Sequence, residues 1–250
     1  MMSVCAGMGA TLLAAMPGSI RLFVSGPLAA GTTIVGTAAQ AHYLGTVMRR
    51  TVGDAVVLFN GSDGEWTARI ALLRRGDAGF EVDRMLRAQA AEPDLWLIFA
   101  LLKRDATDLV VQKATELGVS ALWPVLTAHT GAQRVNLMRL HAIAIEAAEQ
   151  SERLTVPAIH EPRPLNGLLR SWPAGRRLFV AAEREAAPPI VATAEPAGLL
   201  VGPEGGFSAA ELDALRARPL VTLVNLGPRI LRAETAAIAG LARLQGAGSE

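Results

Sequence analysis

The hydrophobic rhythm of this 250-residue chain changes once, across the segment Ala88–Asp94, and that change restricts the folds open to it. Before the segment, apolar residues come in short runs of strand type: Ile20–Val24, Ala55–Phe59, Glu65–Leu73 and Gly79–Leu86, with a short helix expected over Ala39–Met48. Asn60-Gly61 and Arg75-Gly76-Asp77 put turn-forming residues between successive runs. Short strands joined by such turns predict a small β-barrel. Ala88–Asp94 itself (AQAAEPD) has the composition of a linker, and Pro93 stops any helix there.

Beyond the linker, strands alternate with helices. Leu95–Leu101, Leu122–Val125, Leu178–Ala182, Gly198–Val201 and Val221–Val224 read as buried strands, and Ala106–Leu117, Leu137–Glu152, Ser208–Arg216 and Ala233–Leu244 as helices. That alternation predicts an α/β domain around a mostly parallel sheet. The expected organisation is a tail over residues 1–19, a β-unit over 20–88 and an α/β domain over 95–250. The last helix, with Ala233, Ala236, Ala237, Ile238, Ala239, Gly240, Leu241 and Ala242, has almost no polar side after its first turn. A helix apolar all round is buried on every face, so a homodimer that covers it is expected.

Composition excludes more than it proposes. With 51% apolar residues the chain can bury a core, and 4% aromatics argue against a surface built from many stacked rings. A net charge of +1 directs no global field at nucleic acid or membrane. Of 24 basic residues only Lys103 and Lys113 are lysine; arginine suits bidentate phosphate contacts, although arginine-rich codon usage accounts for most of the bias. Cys5 is the sole cysteine, which rules out an intrachain disulfide and thiolate zinc sites and fits a reducing, cytoplasmic setting. His42, His129, His141 and His160 lack metal-binding spacing, so no metal is expected. Residues 1–20 lack the basic start of a secretory signal; Met1–Ala15 is expected to be a disordered extension, with Met16 a plausible true start. No later run approaches the ~20 apolar residues of a membrane span.

Two glycine-bearing segments, each following a strand and opening a helix, are the main candidates for chemistry. In Leu200-Val201-Gly202-Pro203-Glu204-Gly205-Gly206-Phe207-Ser208 the glycines let a ligand approach backbone amides, and Ser208 with Glu211 forms a capping box for the next helix. The loop lacks GxGxxG and GxxxxGK[ST] spacing, and Glu204 would repel a phosphate. A plain strand-to-helix turn is the competing reading. The second segment, Asn225-Leu226-Gly227-Pro228-Arg229-Ile230-Leu231-Arg232-Ala233-Glu234, places apolar Leu226, Ile230 and Leu231 beside exposed backbone, which suits a purine-sized ring. Glu234 alternatively complements a helix dipole. Loops at the carboxyl ends of parallel strands are where such domains bind ligands.

Three further segments carry polar residues in notable places. In Gln112–Gly118 (QKATELG), Lys113 falls inside the apolar stripe formed by Ala106, Leu109, Val110, Ala114 and Leu117, either reaching a wet cleft or snorkelling. Glu146–Arg153 (EAAEQSER) offers Gln150 and Arg153 for contact with RNA or a partner subunit, or is simply a polar helix end. In the β-unit, His42-Tyr43-Leu44 precedes Arg49-Arg50, which suit phosphates unless they are ordinary solvated surface.

Taken together and in this order, Gly202–Gly206 (GPEGG), Leu226–Ala236 (LGPRILRAETA), Gln112–Gly118, Glu146–Arg153 and His42–Asp54 (HYLGTVMRRTVGD) resemble the ribosomal small-subunit RNA (uridine-N3) methyltransferase family, of the SPOUT superfamily. The likeness runs from Arg21 to Leu244. It implies a PUA-like barrel followed by a SPOUT domain with a C-terminal trefoil knot, an exception to the rule against threaded chains. It further implies a homodimer that binds S-adenosyl-L-methionine (SAM) and methylates N3 of a uridine in 16S ribosomal RNA of the small subunit. The residues implied for SAM are Leu200, Gly202, Pro203, Gly205, Gly206, Leu226, Gly227, Ile230, Leu231 and Arg232; for RNA, His42, Arg49, Arg50, Lys103, Lys113, Gln150 and Arg153. Uracil N3 is a poor nucleophile until its proton leaves. Arg232 is therefore expected to hold O2 or O4 as charge builds, with Glu204 or Glu234 taking the proton or fixing Arg232. Two departures stand out: Ala128-His129 follows Thr127 where an arginine-containing stretch is expected, and residues 1–20 have no counterpart. A nucleotide-phosphate enzyme and a catalytically silent ribosome-assembly factor of the same fold are the alternatives.

Overall fold

The computed structural model describes residues 19–131, 134–182 and 187–245; the expected tail, Met1–Ala15 with Met16, lies outside them. The chain divides into two compact units, residues 1–90 and 91–250.

The first unit is a five-stranded sheet in the order β1-β3-β4-β5-β2, with β1 Arg21–Phe23, β2 Thr33–Gly36, β3 Ala55–Phe59, β4 Glu65–Arg74 and β5 Asp77–Arg87. All its pairings are antiparallel except β1 with β3. Ile34, Leu44, Leu58, Ile70, Phe80 and Val82 fill one core. The turn residues act as their chemistry requires: Asn60 Oδ1 accepts from the amides of Ser62 and Asp63, and Gly76 takes φ +85° between β4 and β5. Strand β2 was not expected, because only Ile34 of its residues is buried. The helix expected over Ala39–Met48 is instead a short α1, Ala38–His42, continued by a π-turn over Tyr43–Val47. Thr37 and Gln40 close a capping box at its start. Under the sheet, Glu65 is 1% exposed and pairs with both Arg21 and Arg87. Burial works against its charge, but hydrogen bonds from Arg87 and Arg21 outweigh it and hold its pKa below the ordinary 4.5.

The second unit is a parallel sheet in the order β12-β10-β11-β6-β7-β8, with β9 also pairing β7. Its strands are β6 Leu95–Ala100, β7 Ala121–Leu126, β8 Ala158–Ile159, β9 Arg163–Pro164, β10 Arg177–Ala181, β11 Ala197–Val201 and β12 Val221–Val224. The helices are α2 Arg104–Glu116, α3 Leu137–Gln150, α4 Leu165–Arg170, α5 Ala209–Arg216 and α6 Ala233–Leu244. Alternate residues of the central strands enter opposite cores. Leu97, Phe99, Leu199 and Val201 pack in one with α2, α3 and α6, while Ile98, Val180 and Leu200 pack in the other with α4 and α5. Burial on both faces explains the continuous apolar runs.

Two helices differ from their expected faces. In α2 the buried residues are Thr107, Val110, Val111, Ala114 and Thr115, a stripe rotated from the expected one because the threonine hydroxyls donate to carbonyls of Leu102 and Val111 and so can be buried. Helix α6 buries Ala233, Ala236, Ala237, Gly240, Leu241 and Leu244, but Thr235, Ala242 and Arg243 are exposed, so it is covered along one side and not all round. Its contact with the sheet is close: a Cβ on Gly240 would lie 2.6 Å from Leu199 Cδ2. The segment before β11 is tied to both ends of the following structure, by Asn225 N to Pro188 O (2.9 Å), Ile190 N to Asn225 O (3.2 Å) and Thr193 N to Leu244 O (3.1 Å). Among the described residues no helix is long and apolar enough to cross a membrane.

Candidate active site

Strand β10 lies between β11 and β12, and Ala181 is in register with Val201 on one side and Val224 on the other. The two glycine-bearing loops therefore leave the sheet at the same level, one strand apart. They enclose a cavity of about 730 Å³. Gly202, Pro203, Gly205, Gly206, Leu226, Gly227, Ile230, Leu231 and Arg232 all line it, as does Glu204. Leu200 does not; it is fully buried and its alternation in the strand turns it to the α4–α5 core, so Val201 lines the cavity instead. Glu234 is also absent from the lining, half-buried in the first turn of α6. Ala181 and Ala182 form part of the wall. Sequence reasoning missed them because the signal is the strand order, not the residue type.

Each loop is held by local bonds. Gly206, at φ +68°, donates its amide to Pro203 O at 2.8 Å. A Cβ at Gly202 would lie 3.0 Å from the Phe207 ring, which explains glycine there. Ser208 caps α5, and Glu211 returns to the Ser208 amide at 2.9 Å. In the second loop Gly227, at φ +121°, donates to Asn225 Oδ1, and Asn225 Nδ2 donates to Ala187 O. Arg229 and Arg232 are exposed, and among the described residues neither guanidinium makes a hydrogen bond or ion pair. A guanidinium without a partner, beside a cavity with apolar walls, is available to a developing negative charge.

The turn Thr127–Thr130 reaches this loop from the end of β7. Ala128 donates its amide to Glu211 Oε1 at 2.9 Å, and His129 Nδ1 lies 3.1 Å from both Gly205 O and Gly206 O. The stretch that departs from the family pattern thus touches the first loop.

A second cleft, of about 590 Å³, lies in the first unit and is lined by residues including His42, Arg50, Arg74 and Arg75, with no acidic side chain among the lining. Arg49 beside it is exposed at φ +52°, a left-handed conformation rare outside glycine. The Arg50 Nε is buried without a hydrogen-bond partner among the described residues. The π-turn and the Arg49 conformation are both irregularities of a kind found at functional sites.

The remaining expected RNA contacts fare differently. Lys103 is exposed at the start of α2, and Gln150 is exposed at the end of α3. Lys113 is half-buried with its ammonium 2.8 Å from Glu116, the snorkelling arrangement. Arg153 is 8% exposed: it donates to the carbonyls of Thr115 and Val119 and pairs with Glu92. The preceding Glu152, at φ +56°, turns the chain out of the helix, so Arg153 points into the domain and is not placed to meet RNA. Among the described residues no group of three or more His, Cys, Asp or Glu side chains could hold a metal ion.

Residues 90–245 match the RNA methyltransferase domain family, and residues 37–78 match the RNA methyltransferase PUA domain. A ribosomal RNA small subunit methyltransferase E from Rickettsia conorii is 33% identical over 236 residues, covering 92% of this chain and 96% of its own length. Its counterpart from Synechocystis is 31% identical, covering 90% of this chain and 76% of that one. Among solved structures, a protein from Legionella pneumophila in complex with SAM matches with a TM-score of 0.81 at 27% identity, covering 92% of this chain and 98% of that one. The ribosomal RNA small subunit methyltransferase E of Neisseria gonorrhoeae, bound to SAM, matches with a TM-score of 0.79 at 28% identity, covering 90% and 96%.

Proposed function

The chain belongs to the ribosomal RNA small subunit methyltransferase E family, and we propose that it carries the methyl group of SAM to N3 of a uridine in 16S ribosomal RNA. The observation that carries this reading is the cavity between the two loops, with an unpaired guanidinium at its mouth. Its fit to SAM rests on glycine-backed walls at Gly202, Gly205 and Gly206, which leave backbone accessible, and on Leu226, Ile230 and Leu231, which suit a purine face. When bound, SAM supplies an already activated methyl group, so the protein's task is orientation and charge. Arg232 faces the uracil O2 or O4 and stabilises the negative charge left as the N3 proton departs. Glu204 shares the cavity with Arg232 and is the better placed of the two carboxylates to accept that proton. Glu234, in the first turn of α6, complements the helix dipole.

The β-unit over residues 20–88 is the RNA-binding part. In it the cleft of His42, Arg50, Arg74 and Arg75, with neighbouring Arg49, receives backbone phosphates. Lys103, Gln150 and Lys113 are further contacts on the catalytic unit, residues 95–250; Arg153 has no part in binding. The ties of residues 187–193 to Asn225 and Leu244 support a trefoil knot built from these C-terminal segments. A homodimer covers the remaining small-residue side of α6, at Ala239 and Ala242, and the enzyme works in the cytoplasm, where its substrate is made. The test is transfer of labelled methyl from SAM to small-subunit RNA, free and assembled, followed by mass spectrometry. Label recovered as 3-methyluridine is the expected result; no transfer to either substrate overturns the reading.

A further inference from the structure

His129 is exposed and lies 76 positions before Gly205, yet one of its ring nitrogens sits 3.1 Å from two carbonyl oxygens of the first loop, Gly205 O and Gly206 O. Both partners are acceptors, so Nδ1 must carry a hydrogen, whether the ring is the neutral Nδ1–H tautomer or the imidazolium. The contact is built from both sides. Thr127 and Thr130 close a tight turn through Thr127 N to Thr130 Oγ1 (2.8 Å) and Thr130 N to Thr127 O (3.2 Å), which places Ala128 and His129 at its corner. Glu211 then joins that corner to the loop's far end: Oε1 accepts from Ala128 N, while Oε2 accepts from the Ser208 amide and hydroxyl. The contact is close on the loop side as well, since a Cβ at Gly205 would lie 3.0 Å from the His129 Cβ.

Holding a carbonyl holds the whole planar peptide unit, including the N–H on its other side. The Gly205–Gly206 peptide held through Gly205 O is the one whose N–H closes the turn on Pro203 O. Two adjacent glycines, one of them at positive φ, leave the turn free to take other shapes, and His129 adds to the Gly206–Pro203 bond a restraint from outside the loop.

We propose that His129 is a positioning residue for methyl transfer: as a hydrogen-bond donor it fixes the Gly205–Gly206 turn in the shape that receives the methyl donor. The inference rests on the assignment of the cavity to SAM. His129 acts through the Gly205–Gly206 backbone, so its effect belongs in SAM affinity and not in the chemical step. Asparagine can present an N–H near the position of Nδ1, whereas leucine has nearly the same shape and no donor. The experiment is calorimetric titration of SAM into the full chain, wild type, His129→Asn and His129→Leu, with the thermal midpoint and the KM and kcat measured for each. The expected result is a Kd within about threefold of wild type for His129→Asn and about tenfold weaker for His129→Leu. That loss should appear in the KM for SAM, with kcat at saturating SAM and the thermal midpoint little changed. Leucine binding as tightly as histidine, or asparagine binding as weakly as leucine, overturns the inference. Wild-type protein that does not bind SAM at all instead overturns the assignment of the cavity.

Discussion

In the second unit Arg153 and Arg176 are buried, and each donates to backbone carbonyls and to one carboxylate near the unit's start, Glu92 or Asp94. Around the cavity, Arg229 and Arg232 are exposed and neither guanidinium binds anything among the described residues. The two pairs are alike in residue type and opposite in use. A buried guanidinium cannot turn to a substrate without stranding the carbonyls and the carboxylate it serves, a loss of several kcal/mol by the usual order of magnitude, ~3–5. An unpartnered one gives up only water. Between these two pairs, burial and pairing, not the presence of arginine, make the difference in a chain whose basic residues are nearly all arginine.

The sharpest way to break this comparison is at Arg232. Arg232→Ala should lower kcat by about a thousandfold while the Kd for SAM stays within a few-fold; near-normal turnover would remove Arg232 from the chemistry. The next largest effect is expected at the first unit's buried cluster. Glu65→Ala removes the buried carboxylate that Arg21 and Arg87 share and should cost about 3 kcal/mol of stability in denaturant unfolding. The same carboxylate sets a pH dependence. Its pKa is depressed in the folded state, so its contribution is present above the ordinary 4.5 and is lost as pH falls through the lower folded value. Acid unfolding of wild type should therefore show a stability loss between 4.5 and that lower value that Glu65→Ala lacks. Arg153→Met should cost about 3 kcal/mol and leave the KM for RNA unchanged; a raised KM with normal stability would return Arg153 to the RNA surface. Smallest, Arg50→Gln with Arg75→Gln should raise the KM for RNA about tenfold and flatten its salt dependence by a slope of about 1.5, with the KM for SAM unaffected.

Much of the molecule was legible locally. The turns at Asn60 and Gly76, the capping box of Ser208 and Glu211, and five apolar strands of the parallel sheet follow from residue chemistry and period. What escaped has particular causes. Strands β8 and β9 are two residues long and exist only by pairing with β7, so no period announces them. The α2 stripe is displaced because threonine hydroxyls can be buried when they donate back to the helix and its approach. Gln150 and Arg153 belong to one polar-looking run, yet the left-handed Glu152 between them sends one outward and the other inward. His129 stood out only as a departure from the family pattern; its contact gave no signal, since its partners are carbonyls distant in sequence.

By itself the sequence determined the two kinds of unit, the break between them, and two glycine-bearing loops that each leave a strand and enter a helix. These are consequences of burial period and backbone freedom, which act over a few residues. Tertiary structure alone decided that β10 stands between β11 and β12, that the loops share one cavity, and which arginines find a carboxylate. The reason is physical: parallel strands are joined by long crossovers, so short-range pattern leaves their order open, and the use of a charge depends on neighbours that the chain brings from far away.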